Sequence, residues 1–332
     1  MPAALTGPAE AAALTGPAEA AALTGPAEAA ALKGPAEAAA PKGPAEAAAG
    51  ARISLPGHCR IALRAVLMVL ALLVCLPLHF LYRVFAYGSP FPKLFLALTA
   101  RIVGARVQIV GTPLRRDVFF IANHVSWIDI PAIAGASGTA FVAKAEVGET
   151  PVIGWLSRLN RTVFVKREAR LNVAGQINDL REALADNWSV TVFPEGTTTD
   201  GQSLLPFKTS MLNVLEPPPP GVLVQPVLLD YGAAAEWIGW IGEEPGVANA
   251  RRIFARKGAF RLDVHFLEPF SPRDFRGRKA IAAEARRRIE AALVQALGKP
   301  LRPFAHSVDA VRYAPAPAGI PAEAHDRAEG ED

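Results

Sequence analysis

The sequence predicts an α/β fold: a single domain with a mostly buried mixed sheet flanked by helices, preceded by a membrane-anchor helix. Three observations support this prediction. Short apolar runs alternate with segments of helical periodicity through the middle of the chain. One uncharged apolar run is much longer than the others. The composition is 51% hydrophobic with a mean hydropathy of +0.22, which is high for a soluble protein and indicates membrane contact.

Composition divides the 332-residue chain into four segments. Residues 1–50 contain five copies of a nine-residue unit, LTGPAEAAA and its variants, which has almost nothing to bury and is expected to be a disordered arm. Residues 51–100 hold the membrane anchor and an interfacial helix. Residues 101–299 are expected to form the α/β domain. Residues 300–332 are rich in proline and alanine, end in EGED, and are expected to be disordered.

The anchor is the uncharged run Ala65–Leu81, with Arg60 and Arg64 before it and Arg83 after it. A helix of this length rises about 25 Å, slightly less than the roughly 30 Å hydrocarbon core, and arginines at its ends extend it by snorkelling. A cleaved signal peptide is the alternative, but no small-residue cleavage site follows the run. The next apolar helix, Phe91–Val103, is compatible both with the membrane interface and with covering the domain core.

The domain is predicted to contain strands that alternate with helices. Strands are predicted at Val107–Val110, Val118–Ala122, Ala140–Ala143, Thr162–Val165, Val190–Phe193, Val222–Leu228 and Phe260–Phe266. Helices are predicted near Ala132 and at Val152–Leu159, Leu171–Asn187, Thr209–Leu215 and Arg278–Leu297. Gln225 and Pro226 interrupt one of the strands, and a proline there normally marks an edge or a bulge.

Composition also excludes several functions. Two cysteines, Cys59 and Cys75, form neither a disulfide framework nor a zinc site of the usual spacing. Of the six histidines, only His124 and His265 fall in the expected domain, which argues against a histidine-based metal centre. The net charge of +4 comes without a dense basic block, so nucleic acid is not an expected partner. A modestly basic surface beside an apolar anchor suits anionic lipid headgroups.

The stretch IANHVSWIDI, residues 121–130, follows a predicted strand and places His124 five positions before Asp129. Five residues turn about 500° along a helix, so these side chains meet only across a turn. An imidazole oriented by a carboxylate takes a proton from a hydroxyl that attacks a carbonyl. The alternative is structural, because Ser126 and Asp129 are spaced as a capping box and Pro131 suits the first turn of a helix.

Two downstream stretches place charges at the ends of predicted strands. TVFVKR ends in Lys166 and Arg167, where α/β proteins bind ligands, although a solvated strand end is equally compatible. In VFPEGTTTDG, Glu195 precedes Gly196, which permits close approach of the backbone to a ligand and lets amides face an oxyanion. A plain loop has the same composition. Lys208 then opens a helix, where it contacts phosphate or snorkels.

Together, NHVSWID, TVFVKR, FPEGTT and VQPV resemble the four sequence blocks of the glycerolipid acyltransferase family, which includes the lysophosphatidic acid acyltransferases. The resemblance covers roughly Arg101–Pro269. It implies a membrane-bound enzyme that moves a fatty acyl group from acyl-CoA or acyl carrier protein to the hydroxyl of a lysolipid, without a metal or redox cofactor. The acceptor that it implies first is 1-acylglycerol-3-phosphate, which would give phosphatidic acid.

The same resemblance assigns roles to individual residues. His124 is implied to be the general base, and Asp129 its orienting partner. Residues implied to bind the substrate are Arg167, Glu195, Gly196, Thr197 and Lys208. Because thioester donors are cytosolic, the domain is expected on the cytoplasmic face of the cell inner membrane.

One departure from the family pattern concerns the acceptor. Members that act on lysophosphatidic acid usually read E-G-T-R-S, whereas residues 195–200 read EGTTTD. A neutral hydroxyl in place of the cation weakens the case for a phosphate monoester, so a lyso-ornithine lipid with its zwitterionic headgroup is the alternative acceptor. A hydrolase would use water in place of the lipid alcohol. A non-catalytic membrane tether predicts that the residues of the motifs have been replaced. His124, Asp129, Arg167 and Glu195 are all present, which counts against it.

Overall fold

The computed structural model describes residues 52–85, 88–165, 189–242 and 244–304, which form a seven-stranded sheet with flanking helices. The helices are α1 (Leu55–Phe85), α2 (Phe91–Ile102), α3 (Asp129–Ser137), α4 (Ala145–Glu149), α5 (Pro151–Leu159), α6 (Ala235–Ile238), α7 (Gly246–Ala255) and α8 (Gly277–Leu297). The strands are β1 (Ala105–Val110), β2 (Val118–Ala122), β3 (Ala140–Lys144), β4 (Val163–Val165), β5 (Ser189–Val192), β6 (Leu223–Asp230) and β7 (Phe260–Phe266). Short 3-10 helices occupy Thr209–Leu215, Gly232–Ala234 and Pro272–Asp274. The repeat arm, the helix predicted at Leu171–Asn187 and residues 305–332 lie outside the described residues.

The predicted mixed sheet is confirmed. Its strand order is β1-β7-β6-β2-β5-β3-β4, and every neighbouring pair is parallel except the antiparallel pair β6 and β7. The central strand β2, VFFIA, has all five residues buried because both faces of the sheet are covered. The carboxyl ends of β5 and β6 therefore flank the carboxyl end of β2.

Two apolar clusters cover the two faces of the sheet. Alternate residues of β2 point to opposite faces, so Phe120 packs with residues of α2, α3 and α7, whereas Phe119 and Ile121 pack with residues of α8 and the 3-10 helix at Thr209–Leu215. Burying a large apolar side chain of this kind contributes about 2 kcal/mol. The strand that precedes His124 is thereby fixed from both sides.

Pro226 lies inside β6, between two neighbouring strands, so the predicted edge position is wrong. Val224 bridges to Phe270, and Val227 pairs with Phe266. Along β6 this is a step of three residues, whereas the opposing chain steps by four, which is the register change that a bulge produces. Pro226 therefore lies where the pairing with the opposing chain changes register, while the parallel ladder with β2 continues through it.

The first helix, α1, is longer than the predicted apolar run. Its 31 residues rise roughly 46 Å. Arg60 and Arg64, which precede the apolar run, lie within the helix. The Arg60 guanidinium donates to the carbonyl of Ala255 (2.6 Å), and Arg64 donates to the carbonyls of Ile253 (3.0 Å) and Phe254 (2.9 Å). These carbonyls end α7, where cations are favourable. Arg60 and Arg64 of α1 are thus tied to the α/β domain.

Among the residues that the structure describes, α1 is also the one helix long and apolar enough to cross a membrane, judged by length and composition. Gly57, Cys75 and His79 are buried on its inner face, and Met68 accepts a hydrogen bond from Thr99 of α2 (3.3 Å). Its other side exposes a continuous series of apolar side chains: Leu63, Val66, Leu67, Val69, Leu70, Leu73, Val74, Phe80 and Leu81. Such a face is typical of a surface that contacts lipid.

The second helix, α2, covers the core of the domain, which is one of the two positions that the sequence allowed. It packs against α3, and a Cβ atom at Gly135 would lie only 2.8 Å from the Cα atom of Ala97. Thr99 and Ala100 of α2 are buried. This close helix crossing supports α3, the helix that begins at Asp129.

Candidate active site

Three strand ends bring three functional side chains to one edge of the sheet. His124 follows β2, Glu195 follows β5 and Tyr231 follows β6. Because β5 and β6 are the two parallel neighbours of β2, the three residues converge at the carboxyl end of the central strands. Open α/β sheets bind ligands at this edge.

His124 and Asp129 meet across a turn, as the sequence predicts. The Nδ1 atom of His124 lies 2.7 Å from Oδ2 of Asp129. The same oxygen accepts the backbone N–H groups of Val125 (2.7 Å) and Ser126 (3.0 Å). Asp129 is the first residue of α3, and its contact with the Ser126 N–H is the reach-back half of the predicted capping box, although Ile128 at the N-cap position has no side-chain hydrogen bond. The carboxylate therefore closes the turn before α3 and orients the imidazole at the same time. The two interpretations of this residue are compatible.

The imidazole is accessible, whereas its partner is not. The His124 side chain is 19% exposed and that of Asp129 is 0% exposed. One face of the ring stacks on Phe193, with centroids 4.1 Å apart and an interplanar angle of 16°. Because Asp129 occupies Nδ1, Nε2 is the nitrogen left to take a proton from a substrate. This is the arrangement that general-base catalysis needs.

The loop after β5 holds the backbone of His124 on both sides. The His124 N–H donates to Oε1 of Glu195 (2.8 Å), and its carbonyl accepts from the N–H (2.8 Å) and the hydroxyl (3.2 Å) of Thr199. Oε2 of Glu195 accepts the N–H of Leu205 (2.9 Å), and the Glu195 side chain is buried. We therefore expect Glu195 to position His124, in place of the direct headgroup contact that the sequence suggested.

Burial raises the pKa of Glu195 to about 8, against the opposing effect of its two backbone hydrogen bonds. In the unfolded chain this carboxyl titrates near its ordinary value of 4.5. Between pH 4.5 and about pH 8, Glu195 is deprotonated in the unfolded chain and protonated in the folded protein. The free energy of unfolding is therefore highest below pH 4.5 in this respect and falls as the pH rises toward 8.

Glu195→Gln is expected to flatten this pH dependence, because the amide carries no titrating proton. The difference in unfolding free energy between wild type and variant should change by a few kcal/mol across the window, since each pKa unit corresponds to about 1.4 kcal/mol. Thermal unfolding of the detergent-solubilised proteins over this pH range measures it. Glu236→Gln, at an exposed position, is the control. Parallel pH profiles for wild type and Glu195→Gln would contradict the prediction.

Tyr231 is a site residue that the sequence analysis missed. Its hydroxyl donates to Oδ1 of Asp129 at 2.5 Å, and the side chain is buried. Burial, reinforced by the adjacent Asp129, holds the pKa of Tyr231 well above its usual value, so the phenol remains a donor. The available signal was an aromatic residue directly after a strand that carries one of the four sequence blocks.

Tyr231→Phe is expected to lower kcat by about 10- to 100-fold with little change in KM, because a hydrogen bond to a charged group is worth roughly 1.5–3 kcal/mol. Tyr231 acts through Asp129, so substrate binding should be preserved. Steady-state kinetics of acyl transfer separate the two parameters, and the melting temperature of the variant monitors folding. A raised KM with unchanged kcat would instead indicate direct contact with the substrate.

The other residues predicted to bind the substrate are Arg167, Gly196, Thr197 and Lys208. Arg167 lies outside the described residues. Gly196 has a φ of 75°, and its N–H donates to the carbonyl of Phe193 (3.1 Å), so this amide closes a turn and does not face an oxyanion. Thr197 is half-buried in the same loop. Lys208 is exposed directly before the 3-10 helix at Thr209–Leu215.

The next residues of this loop bond to other parts of the chain. Thr198, which stands where lysophosphatidic acid acyltransferases usually have arginine, donates through its hydroxyl to the carbonyl of Trp240. Asp200 accepts from Nε of Arg302 (2.9 Å), so residues 300–304, assigned to the tail by composition, contact the loop. The position of the usual arginine is thus filled by a hydroxyl that is already engaged.

Among the described residues, one group of potential metal ligands comes together elsewhere. The ligand atoms of Asp230, Asp263 and His265 lie within 4.8 Å of one another on β6 and β7. Asp230 accepts the N–H of Gly232 (2.8 Å), and Asp263 pairs with Arg261 (2.6 Å). The two carboxylates therefore have partners within the protein, and neither contacts the His124–Asp129 pair.

Comparison with known proteins identifies the family. The sequence model of the Acyltransferase family matches residues 106–230, which include both His124 and Glu195. The chain is 33% identical over 285 residues to the lyso-ornithine lipid O-acyltransferase of Rhizobium meliloti, covering 80% of this chain and 96% of that protein. The chain belongs to the acyltransferase family. It is therefore an acyltransferase, as its four sequence blocks predicted.

Other relatives of this acyltransferase have two kinds of name. It is 32% identical to the lyso-ornithine lipid O-acyltransferase of Brucella abortus, over 73% of this chain and 96% of that protein. It is 35% identical to the 1-acyl-sn-glycerol-3-phosphate acyltransferase of Neisseria gonorrhoeae, over 35% of this chain and 45% of that protein. The crystal structure of the 1-acyl-sn-glycerophosphate acyltransferase of Thermotoga maritima matches with a TM-score of 0.50 and 22% identity, covering 71% of this chain and 97% of that one. This likeness confirms the predicted fold.

Proposed function

We propose that this acyltransferase is a membrane-bound O-acyltransferase that transfers a fatty acyl group to the free hydroxyl of a lysolipid, with a lyso-ornithine lipid as the acceptor. The observation that carries the proposal is the accessible His124 ring, held by buried Asp129 at 2.7 Å at the ligand-binding edge of the sheet. The apolar outer face of α1 supports a membrane location, where lysolipid and product both reside.

The reaction requires one proton to move twice. Nε2 of His124 takes the proton of the acceptor hydroxyl as its oxygen attacks the thioester carbonyl, and Asp129 stabilises the imidazolium that forms. When the tetrahedral intermediate collapses, the C–S bond breaks and the imidazolium returns the proton to the leaving thiolate. The products are an ester and a free thiol. These steps balance without a metal or redox cofactor.

The preference for lyso-ornithine lipid rests on two observations. Relatives named for that acceptor align with this chain over almost their whole length. Thr198, whose hydroxyl bonds to Trp240, supplies no guanidinium to fork a phosphate monoester. The acceptor implied first by the sequence resemblance, 1-acylglycerol-3-phosphate, remains the second candidate. Similarity to the Neisseria gonorrhoeae enzyme and the cations Arg167 and Lys208 favour it.

The acyl donor and the side of the membrane are part of the same proposal. Acyl-CoA and acyl carrier protein both present the thioester that the chemistry needs. Both are cytosolic, so the catalytic domain would work on the cytoplasmic face of the inner membrane. Arg60 and Arg64, which tie α1 to α7, keep the domain beside this anchor.

A direct assay tests the proposal. Full-length protein in detergent is supplied with labelled acyl-CoA or acyl carrier protein, and with lyso-ornithine lipid or 1-acylglycerol-3-phosphate. We expect label in ornithine lipid, with kcat/KM at least about tenfold higher for that acceptor, because one lost charge-assisted contact is worth more than 1.4 kcal/mol.

The alternatives give different products in the same assay. Label only in phosphatidic acid would establish the second candidate, and label only in free fatty acid would indicate a hydrolase. No product with any pairing of donor and acceptor would support the non-catalytic tether. His124→Ala serves as the blank for each reaction.

A further inference from the structure

A basic pocket lies away from the His124–Asp129 pair. It is an open cavity of 710 Å³ between the start of α1 and α7. Its cationic lining residues are Arg52, Arg60, Arg251, Arg252, Arg256 and Lys257. None of the described lining residues is a carboxylate. Glu244, which does not line the pocket, pairs with Arg252 at 2.8 Å. Such a concentration of positive charge attracts an anion.

One guanidinium in this pocket is incompletely bonded. Nη1 of Arg256 is buried and has no hydrogen-bond partner among the described residues. The guanidinium carbon lies 5.3 Å from the centroid of the Phe260 ring, which holds the side chain in place. Burying a charged donor without an acceptor is unfavourable, so this guanidinium adds positive charge to the pocket wall that no described residue compensates.

The pocket also lies where the apolar surface of the protein gives way to charge. Leu55, at the start of α1, is 78% exposed, Trp237 in the pocket wall is 51% exposed, and Val247 of α7 is 75% exposed. Exposed tryptophan beside basic side chains is typical of the headgroup level of a membrane. The pocket is therefore positioned at the polar border of the apolar face of α1.

Two residues close in sequence to those that line this pocket contact the catalytic turn. The backbone N–H of Trp240 donates to the carbonyl of Val125, next to His124, at 3.0 Å. Asn249 of α7 accepts from the indole N–H of Trp127 (3.1 Å). A ligand that fixes α7 against the membrane would therefore also fix the turn that carries the general base.

We propose that this basic pocket binds the phosphate of an anionic phospholipid of the surrounding membrane and so holds the catalytic edge of the sheet against the bilayer. The inference rests on the proposed membrane-bound function and adds a lipid site separate from that of the acceptor. A phosphate of coenzyme A is the other chemically suitable occupant. The exposed Trp237 in the pocket wall, with the exposed Leu55 at the start of α1, favours a lipid, because tryptophan and basic side chains beside an apolar surface are typical of the headgroup level of a membrane.

The test uses full-length protein in a non-ionic detergent, titrated with short-chain phosphatidylglycerol, short-chain phosphatidylcholine or coenzyme A. The variant Arg251→Gln/Lys257→Gln removes two exposed cations of the pocket. Arg276→Gln/Lys279→Gln removes two exposed cations near the start of α8 and is the charge-matched control. We expect the pocket variant to raise the dissociation constant for phosphatidylglycerol about 30-fold, and the control variant to leave it within about twofold.

Each other outcome would overturn the proposal. An unchanged dissociation constant in the pocket variant removes the site, and an equal loss in both variants reduces the effect to net charge. Tight binding of coenzyme A that competes with phosphatidylglycerol and is lost in the pocket variant assigns the pocket to the donor. Binding is measured without any acyl donor and should persist in His124→Ala. A failure of acyl transfer can therefore be distinguished from a failure of this lipid site.

Discussion

His124→Ala is expected to lower kcat for acyl transfer by about 10²- to 10⁴-fold, the contribution of a positioned general base. The proton of the acceptor hydroxyl then has no acceptor at the catalytic edge, since Asp129 is fully buried behind the ring. Transfer to the lysolipid, measured with labelled thioester, checks the prediction. KM should change little, because the imidazole acts mainly in the transition state.

His124→Ala should stay folded, so a fall in kcat would reflect the missing imidazole. Glu195 and Thr199 bond to the backbone N–H and carbonyl of residue 124, and these contacts do not depend on the imidazole. His265→Gln, in β7, is the matched control and should retain activity. If His124→Ala transfers acyl groups at the wild-type rate while melting normally, His124 has no part in the mechanism.

The sequence predicted the strands well because each is a short apolar run bounded by polar or turn residues. The segment predicted at Val118–Ala122 is β2 itself, and Phe260–Phe266 is β7. β2 is a continuous apolar run, whereas in β7 apolar residues alternate with Arg261, Asp263 and His265, and both patterns are local features of the sequence. The predicted meeting of His124 and Asp129 was equally local, because only a turn joins them.

Contacts between distant strands were not predictable in the same way. Glu195 reaches His124 across 71 residues, and Tyr231 reaches Asp129 across 102 residues, only because β5 and β6 are the neighbours of β2. A single sequence shows which segments are strands, but it does not show their order. The direction in which Glu195 points, toward the backbone of the histidine, depends on that order.

Helix α7 was missed for a related reason. Its sequence, GVANARRIFA, has only three large apolar residues, and one of its two buried positions is Asn249. That amide is satisfied by Trp127 and by Glu244, so burial here depends on tertiary hydrogen bonds that no periodicity reveals. The extension of α1 through Arg60 and Arg64 likewise depends on carbonyl groups of α7.

Asp129→Asn is expected to lower kcat by about 10²- to 10³-fold, because the imidazolium formed during transfer would lose its anionic partner. The hydrogen bonds of Asp129 indicate that this variant loses the negative charge and keeps the position of the side chain. Oδ2 of Asp129 also accepts the N–H groups of Val125 and Ser126, so the oxygen of the new amide should occupy that position. The –NH₂ group would then face the hydroxyl of Tyr231, which can reverse its role and accept.

In that arrangement His124 keeps its orientation and still donates from Nδ1, so the fall in kcat would measure the charge of Asp129 and not the position of the ring. The melting temperature should fall only slightly, since the contacts with the N–H groups of Val125 and Ser126 are preserved. Asp274→Asn, at an exposed position, is the matched control. Activity of Asp129→Asn within a few-fold of wild type would mean that Asp129 serves α3 and the turn alone. The neutral oxygen would then orient the base as effectively as a carboxylate, and the proposed stabilisation of the imidazolium would have to be abandoned.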